Sequence, residues 1–396
     1  MPFEDNDVLL LEAARTPVGR FLGGLKKVSA TDLGVVAAKG ALTRARVPAD
    51  AVDGVVVGNV LQSSKDAAYI ARHIGLKAGV PEGVPAVTVN MACGSALEAL
   101  AAGARRIRLG ECSAVLAGGA ENMSMMPYAM RGVREGWRMI KSDVDDMLFS
   151  ALHDPMAGCA IGETVETVAE ECGVTREQAD AWAVESQRRA AAAQQAGHFA
   201  EEIVPVAVKH RRKQIEINAD ETLRPETTLE GLAALPPLYG GVSTAGNSTG
   251  LNDAGAMWVM ASGAFAKAHG LKPAGRLLSW GAVGVAPIRM AMGPVGAMKM
   301  ALDRAGRSLD DVSVIELNDS FTAQAIAVCD ALGLDGERVN PNGGAVALGH
   351  PMGATGARLV QSALYGLRRG NGGLGLCTVC VGGGQGIAVL VEALDG

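Results

Sequence analysis

The chain predicts an α/β protein made of two similar halves with a different region inserted between them. Two observations lead there. Lys39 to Val52 (KGALTRARVPADAV) and Lys299 to Val312 (KMALDRAGRSLDDV) share Lys, Ala, Leu, Arg, Ala, Asp and Val in register, and both run into apolar strands, Gly54-Val55-Val56-Val57 and Val314-Ile315-Glu316-Leu317. The same spacing carries Cys93 to Gly353, three residues past His350, and strand-turn-helix-strand patterning follows both places, ending at Gly118-Gly119 and Gly382-Gly383. Each half therefore sets one reactive residue at a turn before a helix, with a site expected between the halves.

At 396 residues the chain exceeds one ordinary core. Residues 1–120 read as the first half, completed by about 247–272; residues 121–246 read as a covering loop domain, and residues 273–396 as the second half. The covering region opens on Met123, Met125, Met126 and Met130, holds a long polar-faced helix from about Arg176 to Ala196, and ends near Pro236-Pro237. Arg131, Arg134, Arg138 and Lys141 give it local positive charge, which suits either a solvated face or recognition of phosphate or carboxylate.

Composition narrows the function. The chain is 48% hydrophobic and 20% charged, as folded proteins are, and its net charge of −6 speaks against a general nucleic-acid binder. Only 4% is aromatic, so the core is expected to be aliphatic. No leader-like or membrane-spanning apolar run is visible, and seven cysteines without framework spacing fit reduced thiols in a cytoplasm. Cys377-Thr-Val-Cys380 has metal-like spacing but no second pair, so no metal site is expected.

The chemistry sits in four segments. In Asn90-Met91-Ala92-Cys93-Gly94-Ser95 an apolar run breaks and continues as an Ala/Leu-rich helix. A cysteine there meets the positive end of the helix dipole, which is expected to stabilise its thiolate, and free backbone N–H groups nearby can hold an oxyanion. The others are Asn318-Asp319-Ser320-Phe321 after a strand, Asn340 to Gly356 with Gly349-His350-Pro351 inside it, and Cys380-Val381-Gly382-Gly383-Gly384. Taken singly, each also fits a glycine turn, a capping Asn or a core Cys.

In this order and spacing the four segments closely resemble the thiolase family, the acyl-CoA acetyltransferases, and the resemblance extends to Ala14-Arg15-Thr16-Pro17, Gly118 to Ser124 and Thr244 to Asp253. It implies two βαβαβαββ halves stacked in five layers, α-β-α-β-α, and a homodimer or homotetramer. It implies CoA-dependent cleavage of a 3-oxoacyl-CoA to acetyl-CoA or another acyl-CoA plus a shortened one, or the reverse Claisen condensation. Coenzyme A would be a co-substrate, with no permanently bound cofactor. Cys93 is the implied nucleophile, His350 the base that takes its proton, and Cys380 the second acid/base. Asn318 would hold a water that shares an enolate oxygen with His350, and the amides of Cys93 and Gly382 the other oxyanion hole. The implied CoA contacts are Arg224, Ala245, Ser248, Thr249, Leu152 and Phe321.

Several positions depart from the family pattern. Ala96 follows Cys93-Gly-Ser where glycine is usual, and Asn318-Asp319-Ser320-Phe321-Thr322 replaces Asn-Glu-Ala-Phe-Ala. Ala160-Ile161-Gly162 replaces His-Met-Gly, and Ala92 stands where Leu is frequent. Met290, preceded by Arg289, lies in the counterpart of the Met-Gly-x-Gly-Pro run. Ala92 and Ala160 read either as a roomier pocket for a branched or aromatic acyl group or as drift backfilled by methionines. Arg289, or an arginine of the covering loop, reads either as a partner for a dicarboxylic acyl chain or as a solvated side chain. Two other classes stay open: a decarboxylating condensing enzyme of the ketoacyl-synthase type, and an acyl-CoA-binding subunit that depends on an accessory protein.

Overall fold

The computed structural model describes residues 3–136, 143–211, 213–370 and 372–394. Arg138 and Lys141 lie outside the described residues. The first half runs β1 (Val8–Arg15), α1 (Ala30–Ala45), β2 (Gly54–Gly58), α2 (Ile70–Ala78), β3 (Ala86–Val89), α3 (Ser95–Arg108) and β4 (Ala114–Asn122). Two helices of the intervening region follow, α4 (Ile161–Cys172) and α5 (Arg176–Gln195), before the half closes with β5 (Asn252–Ser262). The second half runs β6 (Gly275–Gly284), α6 (Gly293–Ala305), β7 (Val312–Leu317), α7 (Thr322–Leu332), α8 (Met352–Arg369), β8 (Gly373–Val381) and β9 (Gln385–Ala393).

The duplicated segments occupy equivalent places. Lys39 lies just past the centre of α1 and Lys299 at the centre of α6; the two helices end on left-handed caps at Arg46 and Gly306 before short 3-10 turns and the strands β2 and β7. The halves differ at one element. Where the first half has β3, the second has a single bridge between Ile315 and Val339. Asn340, at φ 49°, turns the chain away, and Pro341 has no N–H to extend a ladder. The expected repeat of five strands is thus complete only in the first half, and the second half has four.

The strands form one ten-stranded sheet in the order β7-β8-β9-β6-β1-β5-β4-β2-β3, with the short strand Gly19–Arg20 on β5. The halves join through β1 and β6 at Leu9–Arg276 and Leu10–Gly275. The sheet folds around a helical middle: α3 touches β2 and β4 of its own half and β9 of the other, while α8 touches β7 and β8 and also β4 and β5. Helices α1 and α2 cover the outer face of the first half, and α6 that of the second. The five layers follow from three aliphatic clusters, the largest lying between the halves. Its Trp258 is fully buried, and the indole Nε1 donates to the Ala357 carbonyl at 3.1 Å.

Burial on both faces explains why β4 and β5 read as continuous apolar runs rather than alternating ones. Side-chain caps set the helix starts: Ser29 accepts from the Asp32 amide at α1, and Thr175 with Gln178 forms a capping box at α5. The intervening region is fastened to β1 by Arg15. Its guanidinium donates to Glu202 at 2.6 Å and Asp220 at 2.7 Å, all three side chains being buried. No helix among the described residues is long and apolar enough to cross a membrane.

Candidate active site

Cys93 sits between β3 and α3 in a turn held by its neighbours. Asn90 Oδ1 accepts the Ala92 amide at 3.0 Å, and Ser95 Oγ accepts the Met91 amide at 2.9 Å while donating to the Ala92 carbonyl at 2.7 Å. Ala92 takes the left-handed conformation, φ 41°, which costs roughly 1 kcal/mol for a residue with a Cβ and aims the next side chain out of the strand direction. A Cβ on Gly94 would stand 2.8 Å from Ile387 and 2.9 Å from Val381, so the glycine lets the turn press on the ends of β8 and β9.

The Gly382 amide and the residue's own amide both act to lower the Cys93 thiol. The expectation of a stabilised thiolate is corrected here. Burial outweighs both N–H groups and pushes the thiol up to about 11, with Glu121 adding to the rise. Cys93 rests as a neutral thiol near pH 7.

His350 stands in the loop entering α8. Its amide donates to Asn252 Oδ1 at 2.9 Å. Its Nδ1 lies 2.7 Å from Thr355 Oγ1, whose hydrogen goes to the Pro351 carbonyl at 3.0 Å. The threonine can therefore only accept, which puts the ring proton on Nδ1 and leaves Nε2 a lone pair. That Nε2 is buried with no partner among the described residues. Burial, then the Arg358 charge, lowers the imidazole to about 3, so it is neutral near pH 7 and able to accept a proton.

The starts of α3 and α8 are brought together by close backbone contact. A Cβ on Gly356 would stand 2.6 Å from the Leu97 amide nitrogen, and one on Gly119 only 1.7 Å from the Gly353 carbonyl oxygen. Glu121, fully buried at the end of β4, ties this corner: it accepts from Asn59 Nδ2 and from the amides of Val60, Leu61 and Gly353, all at 3.0–3.1 Å.

Asn318 and Cys380 end the neighbouring parallel strands β7 and β8, where the Asn318 amide donates to the Thr378 carbonyl at 3.0 Å. Cys380 is pushed up by burial and then by the nearby Cys93 sulfur. Asp319 accepts from Trp182 Nε1 at 2.9 Å and from the Ala345 and Val346 amides, so it anchors the short helix that leads to His350. Gly382 faces Ile161, whose Cδ1 would lie 3.1 Å from an added Cβ. Ile161, Phe321 and buried Met290 pack in one cluster with Cys380. Ala160 precedes the first turn of α4, where its amide donates to Glu163 at 2.6 Å, and Ala92 is half-buried against the central cluster.

A groove of about 550 Å³ runs from Arg224 past Ala245 and Ser248 to Gly349, the residue before His350. Thr249, Leu152 and Phe321 are not among its lining residues. The Thr249 hydroxyl donates to the Ala345 carbonyl at 3.1 Å, Phe321 forms a bridge with Ser248, and the Leu152 carbonyl accepts the Ile161 amide at 2.9 Å. The Arg289 guanidinium lies 3.0 Å from Glu171, on the exposed end of α4. Arg131 of the covering loop is likewise paired, with Asp145.

Sequence reasoning missed Glu121, Asn252 and Thr355 as site residues. Each lies inside a quoted segment, but Glu121 and Asn252 take their partners Gly353 and His350 from another segment, and Thr355 meets His350 only through the fold of the turn before α8.

A buried thiol with two amides acting on it, a neutral imidazole and a second thiol make the parts of a cysteine-dependent acyltransferase. The comparisons place it. The family models "Thiolase, N-terminal domain" and "Thiolase, C-terminal domain" match residues 8–264 and 271–393, and the chain belongs to the thiolase family. It is 45% identical to beta-ketothiolase BktB of Cupriavidus necator over 98% of this chain and 99% of that protein. It is 44% identical to the acetyl-CoA acetyltransferase of Pseudomonas aeruginosa over 97% and 98%. The crystal structure of human mitochondrial 3-ketoacyl-CoA thiolase in complex with CoA superposes with a TM-score of 0.95 at 40% identity, covering 99% of this chain and 100% of that one. The chain is an acyltransferase that cleaves or forms 3-oxoacyl-CoA with CoA as co-substrate. Neither the decarboxylating reading nor the binding-only reading is favoured by these matches.

Proposed function

We propose that the enzyme works through a Cys93 acyl-enzyme and takes 3-oxoacyl-CoA substrates with bulky apolar acyl groups as well as short ones. The observation that carries the first part is the pair of amides, Cys93 and Gly382, that act on the Cys93 thiol. A carbonyl oxygen bound beside that sulfur would meet the same two donors. His350, with its free Nε2, accepts the Cys93 proton as the sulfur attacks the 3-oxo carbon. The C2–C3 bond then breaks, and Cys380 protonates C2 of the leaving acetyl-CoA. Asn318 supplies the water that shares the thioester enolate oxygen with His350. CoA, lying in the groove at Arg224, Ala245 and Ser248 with Thr249, Leu152 and Phe321 flanking its path, gives its thiol proton to Cys380 and takes the acyl group from Cys93. The intact set of groups supports catalysis without an accessory protein.

The acyl range is supported by Ala160-Ile161, which stands in place of the family's His-Met beside Gly382, with Ala92 and Met290 as further walls. The relatives' names include both an acetyl-CoA acetyltransferase and 3-ketoacyl-CoA thiolases, so a mixed range is within reach of this scaffold. An oligomer of identical chains is supported by β3, a short sheet edge with Val87 exposed. Seven free cysteines suit a reducing, cytoplasmic setting.

CoA-dependent thiolysis of acetoacetyl-CoA, a medium-chain and an aromatic 3-oxoacyl-CoA tests the reading, with Cys93→Ser as control. We expect turnover of all three and none by the variant. The double variant Ala160→His/Ile161→Met should keep acetoacetyl-CoA and lose the aromatic substrate. Unchanged selectivity in that variant would sink the pocket assignment.

A further inference from the structure

The two halves carry equivalent cavities at the C-terminal ends of α3 and α8, and only one of them is neutralised by its own side chains. The spacing that carries Lys39 to Lys299 also carries Arg44 to Arg304, Arg105 to Tyr365 and Arg108 to Arg368. The strands are matched by their bulges: β1 slips register against β5 at Leu11, and β6 slips against β9 at Leu278. That match sets Glu12 against Ser279 and Ala13 against Trp280. The hydrogen bonds agree with it. Arg44 Nη1 donates to the Ala13 carbonyl at 2.9 Å, and Arg304 Nη1 donates to the Trp280 carbonyl at 2.7 Å.

The cavity at α8 encloses about 520 Å³ among Glu12, Arg44, Tyr365 and Arg368. Glu12 accepts from the Tyr365 hydroxyl at 2.6 Å and from Arg368 at 2.8 Å, and Arg369 pairs with Glu201 at 2.9 Å. The cavity at α3 encloses about 570 Å³ among Arg105, Arg108, Trp280 and Arg304. Ser279 holds the place of Glu12 there, and its hydroxyl is spent on the Ala301 carbonyl. No carboxylate is among the described residues that line this second cavity.

Three arginines remain around it. Arg105 is paired with Glu98 at 2.5 Å. Arg108 and Arg304 have no ion pair among the described residues; Arg108 donates to the Leu278 carbonyl at 2.8 Å and Arg304 to that of Trp280. Asp7, whose charge acts on Arg108, is already held by Arg276 at 3.0 Å. The two carbonyls lie two residues apart on one strand, so the guanidinium groups are anchored about 7 Å from each other. Arg105 and Arg108 also stand 5.1 and 5.0 Å from the centre of the Trp280 ring, which limits their freedom to swing away.

We propose that the cavity at the end of α3 binds a diphosphate group, gripped by Arg108 and Arg304 beside Trp280. A guanidinium fork matches phosphate oxygens, and two fixed cations without carboxylates call for a ligand that carries charge at two neighbouring centres. A single carboxylate would answer only one of them. The free anion and the diphosphate of a nucleotide share this chemistry. The site is separate from the catalytic turn: Cys93 precedes α3, and the cavity lies at the last turn of that 14-residue helix, about 20 Å along its axis. It does not rest on the roles proposed for the catalytic groups.

Titration calorimetry with inorganic pyrophosphate tests the site. The intact enzyme should bind one pyrophosphate per chain at this cavity with Kd below about 1 mM in about 0.1 M salt, and more weakly as salt rises. Arg108→Gln and Arg304→Gln should each weaken that binding about tenfold or more, while thiolysis, which reports the folded enzyme, stays within about twofold. Pyrophosphate could also enter the groove at Arg224, so Arg224→Gln is titrated alongside. Binding that falls in Arg224→Gln and survives in Arg304→Gln overturns the proposal, as does the absence of saturable binding up to about 5 mM. Ser279→Glu gives this half the carboxylate of the other. A folded Ser279→Glu enzyme should lose binding as the arginine variants do, and one that binds like wild type overturns the assignment; if it does not fold, the two arginine variants decide. The part of ADP binding that Arg304→Gln removes distinguishes the sources: ADP tighter than pyrophosphate supports a nucleotide, and the reverse supports the free anion.

Discussion

His350 Nδ1 and Thr355 Oγ1 lie 2.7 Å apart, one turn of backbone separating them at the start of α8. The pairing decides the tautomer of the imidazole, because the threonine's hydrogen is already committed to the Pro351 carbonyl. Replacing Thr355 with Val keeps the shape, removes the acceptor and frees the ring to turn. At a cost of about 1–3 kcal/mol for a buried unpaired donor, kcat should fall roughly ten- to a hundredfold with KM little changed. Thr355→Ser should retain most of the activity. Steady-state thiolysis checks both, and a Val variant as active as wild type would remove the tautomer argument.

Burial of His350 also links stability to pH. Its folded pKa, about 3, lies below the ordinary 6.5. Between those values the unfolded chain binds more protons than the folded one, so stability is full above pH 6.5 and falls as pH drops through the window. At pH 5 this one group removes about 2 kcal/mol. Thermal unfolding at pH 7 and pH 5 should show a smaller loss in His350→Asn than in wild type. Equal losses would mean the group is not neutral in the fold.

Arg15 fastens the region between β4 and β5 to the first strand. Its guanidinium is held well above the usual range by Asp220 and Glu202, although its burial opposes this. Arg15→Met leaves two buried carboxylates without their cation, at a cost of about 3–5 kcal/mol. The midpoint of urea unfolding should fall accordingly. Arg15→Met/Glu202→Gln/Asp220→Asn should recover part of the loss, since the uncompensated charges are gone.

Gly119 is the tightest point between the halves. Alanine there would put its Cβ 1.7 Å from the Gly353 carbonyl oxygen, with backbone on both sides and no flexible side chain to move. We expect Gly119→Ala to cost more than about 3 kcal/mol or to prevent soluble folding. Gly110→Ala, in open space but at positive φ, should cost only about 1 kcal/mol. Circular dichroism melts compare the two.

Much of the site was legible in the chain because its reactive groups sit where local patterns change. Cys93 and His350 each precede a helix, and Asn318 and Cys380 each close an apolar strand. The duplicated helix-to-strand segments announced two halves for the same local reason. Ionisation was not legible. The helix end beside Cys93 suggests a thiolate, but the sign is decided by desolvation, which depends on what packs around the sulfur. The ion pair of Arg289 was not legible either: Glu171, its partner, belongs to another element.

The sequence by itself determined the local elements: where strands stop at glycine, where helices are capped, which residues carry sulfur, imidazole or amide, and hence the kind of chemistry. Tertiary structure alone decided their protonation and their register with one another. Glu121 meets the Gly353 amide across 232 residues, and Arg15 meets Asp220 across 205. Such contacts carry no periodic trace in the chain, because they are chosen by which buried polar groups must find partners once the layers close. The missing strand at Val339 is the converse case, a repeat broken by Asn340 and Pro341, where local backbone chemistry overrides the symmetry of the fold.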